Sequence, residues 1–296
     1  MRKIKYRILD VFTKDKFGGN QLAVFPEAGL IPTDQFQLIA NELNLSETVF
    51  IFPGKGNAGI PMRIFTPAKE LPTAGHPTIG AAYCLAENLP HPENGNITIN
   101  FIQKVGKISV EAKFMDNQIM EASMISPNPE FLKVIQDREV IADLLSISPF
   151  DFLDFPIEIV SCGVPYLMVP VKSLEIIGSV NFRVDLWNLA AEQLDHAFLY
   201  VFCPKGKRSG SDLHGRMFSP GLGIIEDPAT GSANGPLAAY CWKYNIKKGP
   251  LVSEQGFEIG RPSLLNIQAF GKDGKIEKVT VAGCSVFVGE GLFYVD

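Results

Sequence analysis

The sequence predicts a duplicated α+β fold, two halves of roughly 150 residues that are each rich in strands and built around one central helix. Three observations carry that expectation. "RIFTP" at Arg63–Pro67 returns as "RMFSP" at Arg216–Pro220, and "GNQLAVFP" at Gly19–Pro26 has an echo in "GVPYLMVP" at Gly163–Pro170. "AGHPTIGAAY" and "TGSANGPLAAY" end alike at Tyr83 and Tyr240. Phe114 with its Asp116-Asn117 turn resembles Phe270 with Asp273-Gly274. The matches keep one order along the chain, as an internal repeat requires.

The elements follow in turn. "KYRILDVF", "LAVF", "TVFIF" and "MRIFT" are apolar or alternating runs that read as strands. "TDQFQLIANEL" sets Phe36, Ile39, Ala40 and Leu43 on one face behind a Thr-Asp start, which predicts a helix. A second helix is expected from Pro77 to Glu87, rich in alanine and narrow enough for close burial. A strand and a hairpin turning at Asp116-Asn117 complete the first half. In the second half, "DREVIADLLSI" and "VDLWNLAAEQL" read as helices, and "HAFLYVFC", "GRMFS" and "KVTVAG" as strands. The regular βαβ alternation of a doubly wound sheet is not present.

Composition narrows the function. A chain of 296 residues, 46% hydrophobic, buries a sizeable core. With 27 basic and 32 acidic side chains, a formal charge of -5, it offers no electrostatic footprint for nucleic acid or an anionic membrane. Arg7, Asp10 and Lys14 interrupt the N-terminal stretch, which therefore lacks the apolar core of a signal peptide. No run reaches the roughly 20 apolar residues of a membrane span. The five cysteines are dispersed without a C-x-x-C pair, as expected of reduced thiols in a cytoplasmic protein.

The candidate site lies where the helices begin. Gly75 and His76 precede Pro77, a residue well suited to a first helical turn. His76 reads equally as a capping residue, a core residue or a reagent. At the matching place in the second half, Ser232 follows Gly231 as His76 follows Gly75. Two such helix N-termini are candidate anion sites, able together to hold a small carboxylate. Glu47 stands at the head of the apolar run Val49–Phe52, either a solvated strand-edge carboxylate or a shielded acid/base. Asp227 precedes a proline near the second helix, where loop or capping chemistry is the plainer reading. His91, His196 and His214 lack metal-ligand spacing and read as surface or structural residues; no metal or cofactor motif is found.

"LDVFTKDKFGGNQLAVF", "NLSETVF", "RIFTPAKELPTAGHPTIGAA", "EDPATGSANGPLAAY" and "GRPS" together resemble the PhzF-type phenazine biosynthesis family, from Leu9 to Ser263. The resemblance implies a diaminopimelate epimerase-like fold of two pseudo-symmetric domains, each a curled, mostly antiparallel sheet around a central helix. It implies domains at 1–125 plus about 288–296, and 126–287, with the last strand near "GLFYVD" crossing back to the first and the active site in the cleft between. It gives Glu47 the role of acid/base, places His76 and Asp227 beside it, and makes Gly75, Gly231 and Ser232 substrate-binding. The implied activity is a cofactor-independent isomerisation of a small carboxylate, in a homodimer, similar to conversion of trans-2,3-dihydro-3-hydroxyanthranilate into an aminoketone. Epimerases of this fold use one cysteine from each half. Here those positions carry His76 and Ser232, while Cys84 and Cys241 fall farther along the helices. Two alternatives stand beside the isomerase: a metabolite-binding protein without catalysis, and a hydrolase with Ser232 as nucleophile and His76 or His214 as base.

Overall fold

The computed structural model describes residues 2–54, 59–222 and 224–295, so Met1 and Asp296, the ends of the first expected domain, lie outside the described residues. It divides into two compact units, residues 1–125 with 282–296, and residues 126–281.

The first unit contains β1 (Arg2–Val11), β2 (Asn20–Phe25), α1 (Phe36–Leu43), β3 (Glu47–Ile51), β4 (Ile60–Phe65), β5 (Glu70–Leu71), α2 (Gly75–Ala86), β6 (Gly95–Gln103), β7 (Gly106–Met115) and β8 (Gln118–Ser126). The second contains β9 (Glu130–Ile135), α3 (Arg138–Leu145), β10 (Ile157–Ser161), β11 (Pro165–Pro170), α4 (Leu174–Ser179), α5 (Val184–Ala190), β12 (Phe198–Cys203), β13 (Leu213–Ser219), β14 (Ile224–Asp227), α6 (Gly231–Lys243), β15 (Leu251–Gln255), β16 (Ser263–Lys272) and β17 (Lys275–Gly283). The last strand, β18 (Ser285–Val295), pairs antiparallel with β1 in the first unit.

The pairing order repeats in full. In the first unit β18, β1, β2, β3, β4, β6 and β7 are successive neighbours, with only β2–β3 and β4–β6 parallel. In the second, β9, β10, β11, β12, β13, β15 and β16 follow the same rule, with only β11–β12 and β13–β15 parallel. Even a detail of the fifth strand recurs. β4 gives its first residues to a parallel strand and its last to the short antiparallel β5. β13 does the same with β15 and β14. The duplication read from "RIFTP" and "RMFSP" is therefore a duplication of topology.

Each sheet curls around its helix. α2 touches β18, β1, β2, β3 and β7. The outermost of these lie six strand spacings apart, roughly 28 Å in a flat sheet, whereas a helix is only about 10 Å across. Contact with all of them requires a sheet wrapped around the helix. α6 likewise meets β10, β11 and β16. Burial on every side explains why α2 and α6 lack an amphipathic stripe and are rich in Gly and Ala. A Cβ on Gly80 would lie 2.5 Å from Leu22 Cδ2 and 2.8 Å from Val11 Cγ2, so α2 sits against β1 and β2 as closely as a bare Cα permits.

α1 covers the other face of the first sheet. Of the predicted face it buries Phe36, Ile39 and Ala40 and leaves Leu43 half-buried, and Phe36 packs on Phe50 with ring centroids 4.6 Å apart. α3 begins at Asp137, whose carboxylate accepts from the Glu139 and Val140 amides, and buries Ile141, Leu144 and Leu145. The hairpin after β7 turns at Asp116 and Asn117 with φ of 52° and 61°, the left-handed pair that a two-residue turn needs.

α2 departs from its expected bounds, running Gly75–Ala86 instead of Pro77–Glu87. Pro77 is the third helical residue. It is tolerated there because first-turn N–H groups have no intrahelical acceptor to lose.

Candidate functional site

In the first unit, β2 and β3 run parallel and α2 begins over their ends. Glu47 is the first residue of β3 and pairs with Leu22. His76 is the second residue of α2. Its Nε2 lies 2.9 Å from Glu47 Oε2, and the two side chains are only 6% and 12% exposed. The carboxylate that could have been a solvated strand edge is thus shielded and joined to the histidine. The contact is close but not aligned as a hydrogen bond.

On the far side of the ring, Asn20 Nδ2 lies 3.3 Å from His76 Nδ1. With an amide donor there, Nδ1 is the acceptor, and the neutral ring carries its proton on Nε2, facing Glu47. Asn20 orients the histidine; His76 and Glu47 can then exchange a proton. His76 is not a capping residue. The N-cap of α2 is Ala74, with no side-chain hydrogen bond.

The second unit repeats the helix start with different side chains. The N-cap of α6 is Thr230, also without a side-chain cap, so Gly231 and Ser232 open α6 as Gly75 and His76 open α2. Both starts present first-turn amides and the positive end of a helix dipole. Ser232 Oγ lies 2.6 Å from the hydroxyl of Tyr166, a buried residue of β11. Asp227, at the end of β14, is 8% exposed, and its Oδ2 accepts the Thr230 hydroxyl at 2.5 Å. Gln255 completes this loop, donating from Nε2 to the Asp227 carbonyl at 2.7 Å and accepting the Thr230 amide on Oε1 at 3.2 Å. Asp227 and Ser232 share this segment, but each is held by a different neighbour.

The remaining histidines have structural settings. His91 stacks on Phe114 at 4.0 Å, and His196 sits exposed in a turn. His214 is fully buried with a carboxylate at each ring nitrogen, Glu254 at 2.9 Å and Glu258 at 3.0 Å. It has no ring nitrogen left to activate Ser232. Among the described residues no cluster of His, Cys, Asp and Glu has the arrangement of a metal site.

Cys84 and Cys241 are both buried within their helices. Burial pushes the Cys84 thiol up to about 11 and the Cys241 thiol up to about 12, so both stay protonated near neutral pH. Substituting either by alanine is expected to leave proton-exchange rates within about threefold of the parent. Loss of exchange in either variant would bring thiol chemistry back.

The profile of the phenazine biosynthesis-like (PhzC–PhzF) proteins matches residues 9–291. The chain belongs to this family. An uncharacterized isomerase of Mesorhizobium japonicum is 33% identical over the whole of both chains. The trans-2,3-dihydro-3-hydroxyanthranilate isomerase of Pseudomonas fluorescens is 35% identical, covering 97% of this chain and 98% of its own. The crystal structure of a Bacillus anthracis PhzF-family protein superposes with a TM-score of 0.90 over the whole of both chains at 26% identity. This PhzF-family protein is an enzyme of the isomerase class, with the α+β fold of that family. Among its described residues, no helix is long and apolar enough to cross a membrane.

Proposed function

We propose that this PhzF-family isomerase moves a proton between carbons of a small amino or cyclic carboxylate without a cofactor. The observation that carries the proposal is the nearly buried Glu47–His76 contact at the head of α2. Glu47 takes a proton from a carbon next to an unsaturated system and returns it elsewhere on the same face. His76 and Asp227 hold amine and hydroxyl groups and relay protons. The amides at Gly75 and Gly231, with the Ser232 hydroxyl, receive the carboxylate or the charge that develops on the reacting system. The name of the Pseudomonas fluorescens relative supports a cyclic amino acid of the dihydrohydroxyanthranilate type.

General acid–base help is typically about 10²–10⁴-fold, so orientation of the substrate supplies much of the remainder. Ser232 contributes placement. Ser232→Ala removes the hydroxyl but keeps the amide, and KM is expected to rise roughly 2- to 10-fold with kcat little changed. An unchanged KM would take Ser232 out of the binding set.

The test is NMR in D₂O with trans-2,3-dihydro-3-hydroxyanthranilate and a panel of small amino and cyclic carboxylates. Deuterium entering a carbon position of one compound, in the presence of the enzyme only, supports the reading and identifies the substrate class. Binding without exchange would favour the metabolite-binding alternative.

A further inference from the structure

The second unit contains a buried charge cluster that the proposed chemistry does not use. His214, on β13, faces Glu254 of β15 through Nδ1 and Glu258 of the following turn through Nε2. The loop after β12 closes over them. Its Lys207 and Arg208 amides donate to Glu254, and Lys207 Nζ donates to Glu258. The Phe257 ring stands edge-on to the imidazole at 5.4 Å, with the Lys207 and Arg208 cations over its face. Burial opposes charge on His214, but hydrogen bonds to two carboxylates outweigh it and raise its pKa, while Lys207 works weakly against them. Burial likewise opposes charge on Glu258, yet His214 and Lys207 hold it down to about 2. With a carboxylate oxygen facing each of its nitrogens, the ring bridges two strands and the turn that carries Glu258.

The bridge leads directly to the Asp227–Ser232 segment. Gln255 follows Glu254, and its amide binds the Asp227 carbonyl, the Thr230 amide and the Thr230 hydroxyl. Next comes Gly256, at φ +79°, where a Cβ would fall 2.5 Å from the Pro228 carbonyl oxygen and 2.3 Å from that of Arg261. Ser263 Oγ lies 3.0 Å from the carbonyls of both Pro228 and Gln255. Residues 255–263 thus form a cradle for 227–230, and His214 pins that cradle through Glu254 and Glu258.

We infer that His214, clamped between Glu254 and Glu258, is a positioning residue that sets the Asp227–Ser232 segment through Gln255. This rests on the proposed role of that segment in binding substrate, but the test separates the two. The full chain is compared with the double variant His214→Gln/Glu254→Gln, which removes the clamp and leaves Glu258 its Lys207 partner, and with Gln255→Leu, which leaves the clamp and cuts the link. Amide hydrogen exchange at residues 230–234 is expected to quicken about tenfold in both variants, while residues 237–241 of α6 are unaffected. KM for trans-2,3-dihydro-3-hydroxyanthranilate should rise and kcat should fall, since the segment carries both Ser232 and Asp227. Unchanged exchange at 230–234 in either folded variant overturns the inference, as does uniform loosening of the whole unit. Local loosening without turnover of any carboxylate, in parent or variant, would sustain the positioning role and overturn the proposed proton shift on a small carboxylate.

Discussion

Glu47→Gln abolishes carbon-bound proton exchange, lowering the rate by at least about 10²–10⁴-fold, while the protein folds and binds an unreactive analogue such as anthranilate. Glutamine has nearly the volume of glutamate and keeps a carbonyl oxygen where Glu47 Oε2 faces His76 Nε2 at 2.9 Å. The substitution removes basicity and little else, so stability should stay within about 1 kcal/mol of the parent. The decisive comparison is exchange rate against analogue affinity. A loss of both in parallel would mean that Glu47 organises the pocket instead of carrying the proton. Full exchange in the variant would remove the base from the mechanism.

Glu47, His76, Asp227 and Ser232 were legible because each stands at the start or end of an element, where glycine, proline and a change of periodicity mark the chain locally. The partners that tune them were not. Asn20 lies 56 residues from His76, and Tyr166 lies 66 from Ser232. Each belongs to a strand whose apolar pattern is satisfied without reference to the site. Asn20 did leave a signal, a polar residue behind two glycines at the head of an apolar strand. Gln255 left less, since it sits among other polar residues and only burial reveals its three hydrogen bonds. β9 was missed for another reason. Its side chains are mostly exposed, so the sequence "EFLKVI" shows no clean alternation, and the strand is defined by backbone pairing to β10.

The repeated arginine that made the duplication visible yields the largest expected effect on stability. Arg216 sends Nε and Nη2 to the two oxygens of Glu226 at 2.8 and 2.7 Å. Arg63 sends the same two atoms to Glu70 at 2.7 and 2.8 Å. The forks are alike, but their surroundings are not. Arg216 and Glu226 are each 9% exposed, and Arg216 Nη1 also donates to the Ile177 and Val180 carbonyls at 3.0 and 2.7 Å. Arg216→Ala strands a buried carboxylate and two carbonyls, and should destabilise by about 3–5 kcal/mol. Arg63→Ala should cost about 1–2 kcal/mol, because Arg63 is 31% exposed and Glu70 keeps Lys104 at 2.7 Å. Urea unfolding of the two variants checks the ranking, and equal losses would show that burial does not set the strength of this fork. Acid adds a second check. Its hydrogen bond to Arg63, foremost, and Lys104 hold the Glu70 carboxyl down to about 2, so its stabilising contribution is complete at neutral pH. That contribution drains away as the pH falls from the ordinary carboxylate range toward about 2, and Arg63→Ala should flatten this part of the acid profile.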